Sequence, residues 1–267
     1  MDWKVSDLGD QARIMKVLER DRGWAAYAIC DLSPPNRQFA RFVGAWHGGR
    51  LESVVLLFQA PNFHTVLPCG EQAGIRAVMD QVEGLPETIS LSVLPDDLPA
   101  VKMRYGVKDA WIMLRMVMTA DEVVPARMPA DIEIRRLDPS YASPLADLYQ
   151  SPWGAVFPPD AMLEEGVYFG ALAGETLVAV AGTHAISERF RIACVGGVFT
   201  DPAYRGRGLA QATTGAVVQK LAAGGIELIA LNVRADNQTA VAAYRRLGFR
   251  EQCRFWEGQA SLLHPHQ

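Results

Sequence analysis

Two stretches of this 267-residue chain place residue types at spacings that could do chemistry. The first, Val198-Phe-Thr-Asp-Pro-Ala-Tyr-Arg-Gly-Arg-Gly-Leu-Ala210, reads as a strand ending at Thr200, a turn at Asp201-Pro202, and a glycine-bearing run into a helix from about Gly208 to Ala223. Unpartnered N–H groups at a helix start, with the helix dipole behind them, form an anion site, and Gly206 and Gly208 let a ligand approach the backbone. Residues 205–254 carry eight Arg and Lys against three acids, a local balance of +5 in a chain of net charge −4. Such a basic block suits a multiply phosphorylated small ligand, and a solvated face of arginines is the plainer alternative.

The second stretch opens at Asn237, which reads equally as a helix N-cap or as a ligand contact. Tyr244 follows two turns along the same face. A phenol of pKa about 10 stays protonated at neutral pH and can give a proton to a leaving group, whereas the structural reading is a half-buried core residue beside Leu247.

Around these stretches the pattern predicts a mixed α/β order. Prolines between Val123 and Asp131 interrupt helix and sheet alike and mark a linker. Beyond it the sequence predicts strands at 132–137, 168–173, 176–187, 191–200, 227–233 and 251–257, with helical stretches at 144–165, 208–223 and 237–247. The front half repeats this order faintly. Phe42 to Leu51 parallels Phe169 to Leu177, and Arg104-Tyr-Gly-Val-Lys-Asp109 parallels Arg246-Leu-Gly-Phe-Arg-Glu251, which points to internal duplication.

Arg205-x-x-Gly208-x-Ala210 resembles the Gln/Arg-x-x-Gly-x-Gly/Ala signature of the GNAT superfamily of acyl-CoA-dependent N-acyltransferases. Asn237-x-x-Ala240-x-x-x-Tyr244-x-x-x-Gly248-Phe249 resembles that superfamily's second conserved segment, and the likeness extends over about residues 131–257. The resemblance implies tandem GNAT-like domains of α/β class, each a mixed central sheet flanked by helices: a degenerate domain at 1–124, a linker at 125–130 and a catalytic domain at 131–267. It further implies acetyl-CoA as cofactor, CoA as product and no metal. Backbone amides of Arg205, Gly206, Arg207, Gly208, Leu209 and Ala210 would hold the pyrophosphate, and Val198, Phe199 and Thr200 would line the pantetheine arm beside a splayed strand edge near Asn232. Asn237, Ala240 and Tyr244 complete the implied cofactor site, with Tyr244 as the catalytic acid toward the departing thiolate. The implied reaction is direct acetyl transfer to a primary amine in a small molecule or peptide, with a backbone N–H stabilising charge on the acyl oxygen. Transfer of a longer acyl chain and non-catalytic acyl-CoA sensing are the alternatives.

The general base is not assigned by this pattern. Residues 191–199 contain no acid, and His184 and Glu188 are candidates without a motif. In the front half, Leu67 to Gly74 replaces the arginine-glycine run with a proline and an acid, and Lys102 stands where Tyr244 would. That half is expected not to bind CoA, and to cover the acceptor site or extend the sheet. Trp153, Phe157 and Asp160 are placed near the acceptor by position alone.

Composition sets the remaining bounds. With 49% hydrophobic and 21% charged residues the chain can bury a sizeable core, and a pI near 5.8 argues against general nucleic-acid binding. No apolar run approaches the roughly 20 residues that cross a bilayer, and the N-terminus lacks a signal-peptide pattern, so a cytoplasmic monomer or homodimer without membrane contact is expected. Cys30, Cys69, Cys194 and Cys253 are widely spaced and read as structural thiols.

Overall fold

The computed structural model describes residues 2–126, 131–149 and 158–263. They fall into two compact units. Unit 1 comprises β1 (Lys4–Asp7), α1 (Gln11–Leu18), α2 (Ala26–Cys30), β2 (Ala40–His47), β3 (Arg50–Ala60), β4 (Phe63–Gly70), α3 (Gln72–Gln81), β5 (Thr88–Val93), α4 (Leu98–Val101) and β6 (Tyr105–Thr119) as far as Arg115. Unit 2 holds the end of β6, then β7 (Glu133–Arg136), α5 (Ala142–Leu148), α6 (Pro159–Glu165), β8 (Phe169–Ala173), β9 (Thr176–Ser187), β10 (Ile192–Thr200), α7 (Leu209–Ala223), β11 (Leu228–Arg234) through Val233, and α8 (Gln238–Arg246). The strand β12 (Arg250–Leu262) begins in unit 2 and passes at Gln252 into unit 1.

The two units repeat one plan. Each has an antiparallel run, β1-β2-β3-β4 in unit 1 and β7-β8-β9-β10 in unit 2, and each adds a parallel neighbour, β5 beside β4 and β11 beside β10. Parallel strands need a crossover, which α3 and α7 supply. The mixed α/β tandem architecture expected from the sequence is what the structure has. Gly48 and Gly49, both at positive φ, close the β2–β3 hairpin in the conformation that matches strand twist.

The linear division of the chain needs correction. The sequence reading assigned 131–267 to one domain, but residues from Gln252 onward, together with 234–236, belong to unit 1, and 116–124 belong to unit 2. The reason is register: Trp256 to Ser261 of β12 pair antiparallel with Val93 to Thr88 of β5. Alternation along a strand says which side chains turn inward, not which sheet the strand joins. Of the expected linker, residues 127–130 lie outside the described residues.

The core of unit 1 contains an arginine. Arg115 is 1% exposed; its Nη1 donates to the Trp24 carbonyl at 2.8 Å, and its guanidinium lies over the rings of Trp24, Tyr27 and Phe255. Hydrogen bonds and aromatic faces together offset the cost of burying that charge. Phe255 therefore both fills the core and joins β12 to unit 1. Phe255→Ala is expected to destabilise the protein by about 3–5 kcal/mol, read as a lowered urea midpoint by near-ultraviolet circular dichroism.

Candidate functional site

The site is built where two strands part. β10 and β11 pair in parallel from Ile192↔Leu228 to Val195↔Leu231, and the pairing stops there although both strands continue. β10 bends away because it carries an extra residue. Gly196 opposes Gly182 while Phe199 opposes Val180, and Gly197 takes φ +59 in the bulge between them. Beyond Val195, β10 has no ladder partner on its β11 side, and Asn232 is the first β11 residue past the last pair. Val198, Phe199 and Thr200 are half-buried along this edge, and the Thr200 hydroxyl oxygen is buried with no hydrogen-bond partner.

Thr200 leads into an eight-residue loop, Asp201 to Gly208. Asp201 caps a single 3-10 turn by accepting from the Ala203 N–H at 2.8 Å. Gly206 and Gly208 follow at φ +78 and +77, and a Cβ on either would meet nothing within 4 Å. The space over both is open. α7 begins without a side-chain cap; its first closing bond runs from the Ala212 N–H to the Gly208 carbonyl, and among the described residues the amides of 206–211 find no backbone acceptor. Arg205 donates from Nε to the Thr200 carbonyl at 3.2 Å and has no carboxylate partner among the described residues, whereas Arg207 pairs with Asp131. Leu209 is buried and anchors the helix start, and Ala210 is half-buried. Unpaired amides, an open cradle, a free cation and an orphaned hydroxyl fit a phosphorylated ligand with an extended arm.

α8 supplies the second set. The Asn237 side-chain oxygen accepts from the Ala240 N–H at 3.1 Å, so Asn237 acts as the N-cap. Tyr244 is 7% exposed, stands edge-on to Phe249 with ring centroids 6.0 Å apart, and burial pushes its hydroxyl pKa up to about 12. The helix ends at Gly248, whose φ of +105 and close approach to the Glu122 carbonyl admit no side chain.

On the sheet face covered by α5 and α6 the structure adds residues that sequence reasoning missed. The Tyr149 hydroxyl donates to the Gly197 carbonyl, and the Tyr168 hydroxyl donates to the Thr183 carbonyl at 2.8 Å. Burial raises the pKa of both phenols. Neither tyrosine belongs to a recognisable motif, because what matters is the cross-strand contact each makes. Of the acceptor guesses, Trp153 and Phe157 lie outside the described residues, and Asp160 is an exposed residue of α6. Cys194 is fully buried and free. Among the described residues no cluster of His, Cys, Asp or Glu could hold a metal, and no helix is long and apolar enough to cross a membrane.

Unit 1 differs at the corresponding place. β4 and β5 also part, after Val66↔Leu91, but a single residue, Glu71, joins β4 to α3. The Glu71 N–H and carbonyl are tied to the Glu52 carbonyl and the Ser53 hydroxyl of β3, and the Trp24 indole N–H takes the Pro68 carbonyl at 2.8 Å.

Unit 2 is thus a mixed sheet with a parted parallel pair and a glycine-bearing loop that leads into a helix. Residues 133–249 match the profile described as the acetyltransferase (GNAT) family. Similar curated proteins include an uncharacterized protein of Mycobacterium leprae, 35% identical over 104 residues, and the N-alpha-acetyltransferase RimI of Mycobacterium tuberculosis, 34% identical over 103 residues. Each alignment covers 37% of this chain, and it spans 27% and 61% of those relatives' lengths, respectively. A solved tandem GNAT protein from the clavulanic acid biosynthesis pathway, 14% identical, superposes with a TM-score of 0.59 over 100% of both chains, which establishes a shared fold.

The open space around Gly208 isolates the backbone's contribution. Gly208→Ala meets no atom and pays only for left-handed φ, so it should cost about 1–2 kcal/mol, whereas Gly9→Ala, also in open space but without positive φ, should leave the urea midpoint unchanged.

Proposed function

We propose that unit 2 is an acyl-CoA-dependent N-acetyltransferase that moves an acetyl group from acetyl-CoA to a primary amine. The parting of β10 and β11 immediately before the Asp201–Gly208 loop is the observation that carries this reading. Acetyl-CoA would supply an activated acyl thioester. Amides from Gly206 to Ala210 would take its diphosphate, with the Arg205 guanidinium as counter-charge while the Arg205 N–H closes the turn on the Pro202 carbonyl, and the open edge at Val198, Phe199 and Thr200 would hydrogen-bond the amides of the pantetheine arm as an added strand does. Asn232 lines the gap. Asn237, through its bond to Ala240, sets the start of the helix that carries Tyr244.

Tyr244 is the proton donor in this scheme. Its raised pKa keeps the hydroxyl protonated throughout the physiological range, as proton donation to a departing thiolate requires. No metal is needed for this chemistry. Unit 1 contributes no CoA site in this scheme, since a one-residue connection leaves no phosphate loop. The name of the mycobacterial relative, N-alpha-acetyltransferase, favours an α-amine as acceptor.

Isothermal calorimetry should detect CoA binding to the full chain, and Arg205→Glu combined with Arg207→Glu should weaken it at least tenfold; equal binding by that variant overturns the phosphate-loop assignment. Thiol release from acetyl-CoA should then appear with a member of a panel of an alanyl dipeptide, 2-phenylethylamine and spermidine. CoA binding without thiol release from any of them would identify a sensor instead. Tyr244→Phe should slow turnover by roughly 100-fold, and the wild-type rate should show no loss from tyrosine ionisation until the pH nears about 12.

A further inference from the structure

Amide formation releases a proton from the amine nitrogen; β10 carries no acid or histidine, and the Asp201 carboxylate in the loop after it, which caps the Ala203 N–H, does not present a free group to take it. A histidine on the neighbouring strand does. Between the pairs Cys194↔Ala185 and Val195↔Thr183, β9 advances two residues for one of β10, so His184 has no residue opposite it. A bulge of this kind re-aims the side chain of its extra residue. The imidazole lies flat across Gly196, where any Cβ would overlap the ring, and Gly196 is the first β10 residue beyond the parallel pairing. Glycine at this position is what gives the ring its place at the fork of the strands.

The surroundings suit proton transfer. His184 is an exposed residue of β9 whose ring rests against Gly196. Desolvation holds its pKa below the ordinary histidine value, so at neutral pH the ring is uncharged and able to accept a proton. The groups that could titrate nearby are few among the described residues. β8 carries none, β10 has Cys194, α7 has Lys220, α5 has exposed Asp147 with Tyr149 at its end, α6 has exposed Asp160, Glu164 and Glu165, and Tyr168 and Glu188 flank β8 and β9.

We propose that His184 is the general base of the transfer, an assignment that rests on the acetyltransferase reading of unit 2. The neutral amine forms its C–N bond with the acyl carbon as the C–S bond breaks, and an imidazole nitrogen of His184 takes the N–H proton that this bond formation acidifies. Tyr244 gives its hydroxyl proton to sulfur and regains one from the imidazolium through solvent, so no net proton is gained or lost. The bulge at His184 and the bulge at Gly197 are thus two parts of one device: one opens the edge, the other aims a base at it.

His184→Gln should lower kcat by about 100-fold or more while the calorimetric affinity for CoA stays at the wild-type value. The acidic limb of the kcat–pH profile, expected below the ordinary histidine pKa, should vanish with the substitution, and nitrogen-15 NMR should find the same depressed pKa for the His184 ring in the wild-type protein. In His184→Ala, added imidazole should restore turnover, which a merely structural histidine would not allow. An unchanged kcat and acidic limb in His184→Gln, with the wild type active on the amine panel, overturns the base assignment alone. Absence of both CoA binding and thiol release in the wild type overturns the acetyltransferase reading, and the base assignment with it.

Discussion

The candidate site depends on a pair of parallel strands that cease to be a pair. Backbone N–H and C=O groups inside a sheet must be satisfied, and a ladder ordinarily runs as far as its strands do. Here it stops at Val195↔Leu231 while β10 runs five residues further. Continuing the ladder would require β10 to stay straight, and the extra residue in the Gly197–Val198 bulge prevents that. The unmet hydrogen-bonding capacity of this edge adjoins the amides of residues 206–211, which find no backbone acceptor among the described residues.

Rigid elements hold these open groups in place. Leu209, Ala212 and Val217 of α7 are buried, so the helix start cannot swing to satisfy its own amides. Asn237 fixes the start of α8, and Gly248 ends it against the Glu122 carbonyl, which sets Tyr244 between two constrained points. Unit 1 shows the same sheet without the opportunity: its strands part, but Trp24 fills the Pro68 carbonyl and Glu71 is bonded to β3. One plan thus yields an open edge in unit 2 and a sealed one in unit 1.

Much of this was legible in the sequence, and the rest was illegible for identifiable reasons. The Arg205–Ala210 run and the Asn237–Phe249 segment announced themselves because glycine, helix start and tyrosine are local signals, and the observed elements at 176–187, 209–223 and 238–246 lie close to their predicted places. His184 was legible only as one of two candidate bases, with no motif to single it out. Its significance comes from a register shift between β9 and β10, and no spacing within one strand encodes where it slips against another. Tyr149 is hidden in the same way, since its bond to the Gly197 carbonyl spans 48 residues. The destination of β12 was missed because apolar patterning is indifferent to which sheet is completed.

That destination orders events during synthesis. Residues 1–115 leave the ribosome first, yet β5 waits for Trp256 to Ser261 to cover its free side, and the aromatic setting of Arg115 waits for Phe255. The earlier-made unit is therefore the later one to be finished, and until then it exposes a strand edge and leaves the Arg115 guanidinium without its Phe255 face.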